Sequence, residues 1–322
     1  MKKNLKIILI SILSITVILI SAILIYFYAD NYKEFYDSAT AEFDVPGLKE
    51  GFIPQGMTEI TGDHLLLSGY MKKGPSRIYT VNKKTNETKY VTIEFNGEDF
   101  NGHCGGITNN GKFVWISSES KLLRLDLKEI LSAENTCKVK TIDYFNPNNN
   151  ASFCYFEKNC LFVGEFYREK NYKTNESHYF DVAGRTNKAI VSAYIYNESK
   201  PCALEEIPKA ILSIPDLVQG IAFDEGGRII LSTSYGLANS KIFVHKKIDE
   251  GNKNSIMNCN GNNVPVYFLD DNSLLLTIEA PCMSEEIFYS DNKLYILFES
   301  ASVKYKAVVR ESLSKCYSIK IS

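Results

Sequence analysis

The most regular feature of the sequence is a hairpin pattern that returns five times. Each copy has a short apolar run, a turn rich in Gly, Asn or Asp, and a second apolar run that ends near Ser or Glu. The copies occupy residues 53–70, 102–120, 151–167, 218–235 and 283–300. A pattern that returns this often indicates a repeat architecture, because one such unit cannot bury its apolar face alone.

Further runs of alternating apolar and polar residues follow these hairpins, which predicts antiparallel units of four strands, A to D. Aligning the hairpins on their second strands gives spacings of 50, 46, 68 and 66 residues. The aligned positions are Gly56, Gly106, Ser152, Gly220 and Glu286. Four-stranded units at about 40–50 residues are typical of propeller blades. Polar insertions at 168–188 and 249–263 account for the long spacings.

The predicted fold is therefore all-β, a single β-propeller of five blades. The alternative count is six blades, if a degenerate blade lies within 165–215. After the fifth hairpin only 305–322 remain, so a strand over 39–45 could supply the missing outer strand and close the ring. A β-sandwich with an accidental repeat is the alternative. An α/β fold is excluded, because helical periodicity after Tyr28 is confined to 127–131.

The first residues differ from the rest of the chain. Residues 1–6 are basic, and 7–28 form an uncharged apolar run long enough to cross a bilayer as a helix. We predict an uncleaved signal-anchor, with a signal peptide as the alternative. Lysines before the run and acidic residues after it place the N-terminus inside the cell. A linker over 29–50 and a propeller over 51–322 would then lie outside the cytoplasm.

Charge and cysteine content narrow the function classes. The 322-residue chain has a formal net charge of −2, which offers no broad basic surface for nucleic acid. Its eight cysteines form no C-x-x-C pair, so a zinc ribbon is unsupported. An oxidising compartment would permit disulfides, for example between Cys154 and Cys160 across the third turn. The alternative is that the cysteines are small buried apolar residues.

Propeller geometry predicts where function lies. In every blade the start of strand A and the end of strand B reach the same rim of the central channel, so polar residues at these points should converge. The candidates are Gln55, His103, Glu165, Gln219, Glu285 and Glu299. The insertion at 168–188 would overhang this rim as a lid.

Three carboxylates and a histidine around one channel have two chemical uses. They could hold a hard cation such as Ca²⁺, which takes oxygen ligands. They could also perform acid–base catalysis, since crowding raises the pKa of at least one carboxylate. The structural alternative is that they bind backbone groups at the blade ends.

The Pro54-Gln55-Gly56 element and the 218–223 run, VQGIAF, resemble the SMP-30/gluconolactonase/strictosidine-synthase-like and YncE-like propellers. The resemblance covers roughly residues 51–322. It implies a lactonase or esterase that holds one divalent ion, usually Ca²⁺. This chain has Gln55 where that family has a metal-binding Glu, and only Asn239 and Glu285 are partial matches. With Glu299 these form the candidate metal ligands. The resemblance also extends to membrane-anchored or secreted bacterial propellers of no settled activity.

Two functions follow as hypotheses. The first is a membrane-anchored extracytoplasmic propeller that binds a small molecule, a carbohydrate or a protein at the channel rim. The second is a Ca²⁺-dependent hydrolase of the lactonase type on the same scaffold.

Overall fold

A computed structural model describes residues 2–28, 32–251 and 253–321. A long N-terminal helix, α1 (Lys2–Tyr28), precedes a β-propeller of five blades. Two short α-helices also form, α2 (Lys33–Ser38) and α3 (Leu127–Ser132), together with 3₁₀ turns at Leu48–Glu50, Glu176–His178 and Pro201–Ala203. The prediction of an all-β propeller is confirmed, and the blade count is five rather than six.

Four antiparallel strands, A to D from the axis outwards, build each blade. The A and B strands of all five blades are the repeated hairpins of the sequence. Blade 1 contains β2 (Phe52–Thr61), β3 (His64–Met71), β4 (Arg77–Asn82) and β5 (Thr88–Phe95), with β6 (Glu98–Asp99) beside β5. Blade 2 contains β7 (Ile107–Asn109), β8 (Phe113–Ser118), β9 (Lys121–Asp126) and β11 (Asp143–Phe145).

The remaining blades follow the same order. Blade 3 contains β12 (Ala151–Glu157), β13 (Cys160–Glu165), β16 (Ala189–Ile195) and β17 (Ala210–Ile214). Blade 4 contains β18 (Val218–Phe223), β19 (Ile229–Thr233), β20 (Ser240–His245) and β23 (Leu274–Ala280). Blade 5 contains β24 (Ser284–Ser290), β25 (Lys293–Phe298), β26 (Lys315–Ile319) and β1 (Ala39–Asp44).

Segments that leave one blade extend the sheet of another. Strand β10 (Lys138–Lys140), in the C–D connection of blade 2, pairs in parallel with β5 of blade 1. The 249–263 insertion contributes to a hairpin of β21 (Ser255–Cys259) and β22 (Asn262–Phe268), and β22 pairs in parallel with β17 of blade 3. The outer strand of blade 4 is therefore β23. The 168–188 insertion carries its own small hairpin, β14 (Phe180–Val182) with β15 (Arg185–Asn187).

The N-terminal strand closes the ring. Strand β1 pairs antiparallel with β26, with Ala39 opposite Ile319 and Ala41 opposite Tyr317, so blade 5 joins both ends of the propeller. Its Phe43 is fully buried with Phe52 and Tyr79 of blade 1 and Leu297 of blade 5. The closing strand is thus held both by its ladder and by packing between the first and last blades.

The register of the third hairpin separates Cys154 and Cys160. Cys154 lies opposite Val163, and Cys160 lies opposite Glu157. Cys154 is buried, with its Sγ against the Gly106 and Trp115 carbonyl oxygens. The disulfide that the sequence left open between these two thiols does not form, because they stand on different cross-strand pairs; all eight cysteines are free thiols.

We predict that Phe43→Ala lowers the free energy of unfolding by about 3–5 kcal/mol, the usual cost of removing a buried phenylalanine side chain. Chemical denaturation of the full chain measures this. Thr40→Ala, an exposed change on the same strand, is the matched control and should have little effect. Equal stability of both variants would contradict the closing role of β1.

Candidate ligand-binding site

A cavity of about 750 Å³ opens on the rim where the A strands begin and the B strands end. All five blades contribute to it. Its walls include Gln55, Tyr70, His103, Ser118, Ser152, Phe166, Tyr172, Gln219, Tyr235, Glu285, Glu299, Lys304 and Tyr305. This volume lies within the range of about 300–1,000 Å³ that is usual for small-molecule sites.

Five of the six residues predicted to meet at the rim line this cavity: Gln55, His103, Gln219, Glu285 and Glu299. Glu165 lies at the end of its B strand but beneath the cavity wall, fully buried. Its Oε1 lies 2.8 Å from His178 Nδ1 and accepts from the Ile190 amide at 3.1 Å, while Oε2 accepts from the Asn150 amide. Glu165 therefore ties the base of the 166–188 segment to blade 3, which leaves its carboxylate no free oxygen for a ligand.

β-Bulges aim the inner-strand residues at the site. The A–B register shifts between Pro54 and Gly56, between Ala151 and Phe153, between Val218 and Gly220, and between Ser284 and Ile287. Gln55, Ser152, Gln219 and Glu285 stand at these shifts and line the cavity. A bulge inserts an extra residue and re-aims its side chain, which is why bulges recur beside functional sites.

Glu285 and Glu299 form a buried carboxyl pair on the cavity wall. Gln55 Nε2 donates to Glu299 Oε2 at 3.0 Å and to the Pro54 carbonyl oxygen at 2.8 Å, which fixes the amide orientation. Burial, then the charge of Glu299 and a hydrogen bond to it, raises the pKa of Glu285 well above its usual range. Burial raises the pKa of Glu299 to about 7, opposed by Lys304, Gln55 and Glu285. Glu299 therefore ionises before Glu285, and the pair keeps at least one proton at neutral pH.

A cationic and aromatic cluster flanks the pair. Lys304 Nζ donates to the Tyr70 hydroxyl at 2.8 Å and lies 4.8 Å from the centre of the Tyr305 ring. Although burial opposes its charge, hydrogen bonds with Tyr305 and Tyr70 raise the pKa of Lys304. His103 lies against the Tyr70 ring, 4.4 Å between centroids, and keeps an exposed edge. Desolvation and then Lys304 lower the pKa of His103 to about 4, so it is neutral at pH 7.

The wall formed by blades 3 and 4 is aromatic. Phe166 packs edge-to-face on Tyr172, 5.4 Å between centroids, and at 6.3 Å from Tyr235. The Arg168 guanidinium lies 3.8 Å above the Tyr235 ring and its Nη1 donates to the Tyr235 hydroxyl at 3.0 Å. This contact joins the 166–188 segment to the B–C loop of blade 4.

Glu286 closes the channel beneath the site. Its Oε2 accepts from the Met57 amide at 2.6 Å and from the Ile107 amide at 2.8 Å, which joins blades 1, 2 and 5 at the axis. Burial raises the pKa of Glu286 well above its usual range, opposed by backbone N–H groups of Ile107, Met57 and Cys154. Its Oε1 has no hydrogen-bond partner among the described residues. Glu286 therefore belongs to the core of the ring rather than to the cavity wall.

Of the three candidate metal ligands, Glu285 and Glu299 lie together and Asn239 lies apart from them. Asn239 does not line the cavity; its Oδ1 accepts from the Tyr32 hydroxyl at 2.8 Å, and its Nδ2 faces Glu279. Within residues 2–28, 32–251 and 253–321, no group of three or more His, Cys, Asp or Glu side chains has metal-binding geometry. Calcium takes 6–8 oxygen ligands, whereas Glu285 and Glu299 hydrogen-bond to each other beside an ammonium group. This donor set does not fit a calcium centre.

Sequence reasoning missed Tyr70, Lys304 and Tyr305. Tyr70 ends the first hairpin, two residues past the Ser68 position that the repeat marks as the end of strand B. Lys304 and Tyr305 lie in the turn-rich B–C connection between β25 and β26, which is long like that of blade 3 at 166–188. The usable signal was the unusual length of this B–C connection, since long connections often carry binding residues.

No protein-family model matches the sequence, and no curated protein matches it. Solved structures align with most of the chain. Glutaminyl cyclase of Myxococcus xanthus aligns at 7% identity over 88% of this chain and 95% of its own, with a TM-score of 0.47. A PQQ-bound aldose sugar dehydrogenase of Streptomyces coelicolor aligns at 14% identity over 88% and 98%, with a TM-score of 0.46. These similarities transfer no activity to this chain, and its propeller fold follows from its own strand order.

We predict that ionisation of Glu299 lowers the free energy of unfolding as the pH rises. A pKa raised from 4.5 to about 7 on folding means that the folded state holds the proton more tightly than the unfolded chain. The resulting stabilisation is complete below about pH 4.5 and is lost as the pH rises through about 7. The wild type should therefore lose about 2 kcal/mol of its free energy of unfolding between these two pH values that Glu299→Gln does not lose.

Chemical denaturation of the full chain in detergent at both pH values measures this difference. Glu119→Gln, at an exposed carboxylate of the same cavity, is the control and should leave the pH dependence unchanged. A wild-type profile that Glu299→Gln does not alter would show that Glu299 ionises as an ordinary carboxylate.

Proposed function

We propose that this protein is a membrane-anchored propeller outside the cytoplasm that binds a small, uncharged, hydroxyl-rich ligand of the saccharide class in its rim cavity. The observation that carries the proposal is the cavity itself, with a hydrogen-bonded carboxyl pair on one wall and aromatic rings on the other. Membership of the SMP-30-like propellers stays a hypothesis beside it.

The location rests on helix α1. Its segment Lys6–Ile25 is apolar and long enough to cross a bilayer, and 0% of it is buried by the rest of the protein. Basic residues precede the segment and acidic residues follow it, which favours an N-terminus in the cytoplasm. The uncleaved anchor is our choice over a signal peptide, because the apolar run is long and ends without small residues.

The ligand class follows from the two walls. A sugar ring presents a face of C–H groups, which packs on aromatic rings such as Phe166 and Tyr235, and a rim of hydroxyls that both donate and accept. The carboxyl pair, Gln55 and Gln219 offer acceptors and donors for these hydroxyls. Because Glu285 keeps its proton and Lys304 supplies a positive charge beside Glu299, the wall carries little net charge. An uncharged ligand therefore suits it better than an ionic one.

A hydrolase is the second candidate. One observation favours it: a carboxyl group with a pKa of about 7 beside a protonated partner suits acid–base chemistry near neutral pH. The calcium-dependent form of this hypothesis has less support, since the donor set around Glu285 does not fit the ion.

We predict that the purified full chain in detergent binds neutral oligosaccharides on a glycan array. Tyr235→Ala, which removes a ring from the aromatic wall, and Gln55→Ala, which removes an amide oxygen acceptor of the polar wall, should each weaken binding at least tenfold. Tyr144→Ala removes an exposed ring on the outer strand of blade 2 and is the matched control. It should bind like wild type.

Binding that neither cavity variant changes, or the absence of any bound glycan, would contradict the saccharide proposal. Protease added to intact cells checks the location separately. It should digest the propeller, and protection would overturn the outside location without bearing on the ligand.

A further inference from the structure

The membrane anchor joins the propeller at the rim that carries the cavity. Tyr32 is buried, its hydroxyl donates to Asn239 Oδ1 at 2.8 Å, and the Arg310 guanidinium lies 5.0 Å from its ring centre. Asn239 directly precedes strand C of blade 4, and Arg310 lies in the B–C connection of blade 5. In a propeller both points belong to the rim where the B strands end, which is the rim of the cavity.

The connection between the anchor and this rim is short. Helix α1 ends at Tyr28, three residues after its apolar span, and Tyr32 is already packed in the core between blades 4 and 5. Four Cα–Cα steps of 3.8 Å reach at most about 15 Å. A head-group layer is about 5–7 Å deep on each side of the bilayer. The cavity rim near Tyr32 is therefore held close to the membrane surface.

The chemistry of the rim fits such a surface. The B–C connections of the five blades contain ten basic and six acidic residues, whereas the whole chain is acidic. These connections cover residues 72–76, 119–120, 166–188, 234–239 and 299–314. Exposed apolar side chains accompany them: Val308 is 53% exposed and Leu237 is 44% exposed. Basic side chains with a few exposed apolar ones are the combination that favours a surface of anionic lipids.

We propose that this rim docks on the outer surface of the membrane that holds the anchor, against anionic lipid head groups, so that the cavity opens towards the bilayer. The ligand is then a saccharide carried by a molecule of that membrane rather than a free sugar. The docking rests on the anchor and the outside location of the proposed function, and the second statement rests on its saccharide ligand as well.

The test places tryptophan on the rim of the full chain in nanodiscs. The chain has one native tryptophan, Trp115, which is fully buried and gives a constant background. Leu237→Trp and Val308→Trp report the cavity rim. Ile195→Trp is the matched control, because Ile195 is 37% exposed at the end of a C strand, on the opposite rim. The probe is a nanodisc of phosphatidylglycerol and phosphatidylcholine that contains a lipid with a head-group nitroxide quencher.

We expect at least threefold stronger quenching at positions 237 and 308 than at 195, reduced by added salt because salt screens the basic residues. A second variant inserts about twenty Gly and Ser residues after Asp30, which gives a mean reach of about 25 Å. In this long-linker variant, quenching at position 237 should persist if the rim itself binds lipid.

Equal quenching at all three positions, or none on the cavity rim, would overturn the proposal. Loss of quenching with the longer linker would also overturn it, because the short tether alone would then hold the rim near the membrane. No saccharide is present, so a negative glycan array and a negative quenching experiment reject different statements.

Discussion

The close approach of the inner strands at the propeller axis is the constraint on which the rest of the structure depends. A Cβ on Gly106 would lie 2.7 Å from the Cys154 amide nitrogen, and one on Gly220 would lie 2.8 Å from the Glu286 Cα. These positions therefore need glycine. The amides that face the axis still need acceptors, because an unpaired buried amide costs about 1–3 kcal/mol. Glu286 supplies an acceptor for two of them and joins three blades.

The site lies next to this crowded axis. The inner strands of four blades shift register there. In blade 5 the shift falls at Glu285 and Glu286, so that consecutive glutamates serve two purposes. Glu286 faces the axis, and Glu285 faces the cavity beside Glu299. Core and site thus meet at two adjacent residues of one bulge.

The sequence predicts the parts of this structure that depend on neighbouring residues and misses the parts that depend on residues far apart in the chain. The hairpins, their turns and the convergence of Gln55, His103, Gln219, Glu285 and Glu299 follow from local alternation and repeat geometry. The role of Glu165 could not be predicted, because its partner His178 lies within an insertion with no repeat pattern. The attachment of β22 to blade 3 could not be predicted either, since it depends on a parallel pairing between separate repeats. Lys304 was missed because it lies in the long B–C connection of blade 5, which has no repeat pattern.

The central claim is that Glu285 and Glu299 hold at least one proton between them on the wall of the cavity at neutral pH. NMR of the full chain in detergent, with ¹³C-labelled glutamate carboxyls, tests it most directly, since Glu285→Gln and Glu299→Gln assign the two signals. We predict that the Glu285 signal is still that of a protonated carboxyl at about pH 6 and that the Glu299 signal titrates near pH 7. Titration of both signals near the ordinary glutamate value of 4.5 would contradict the account.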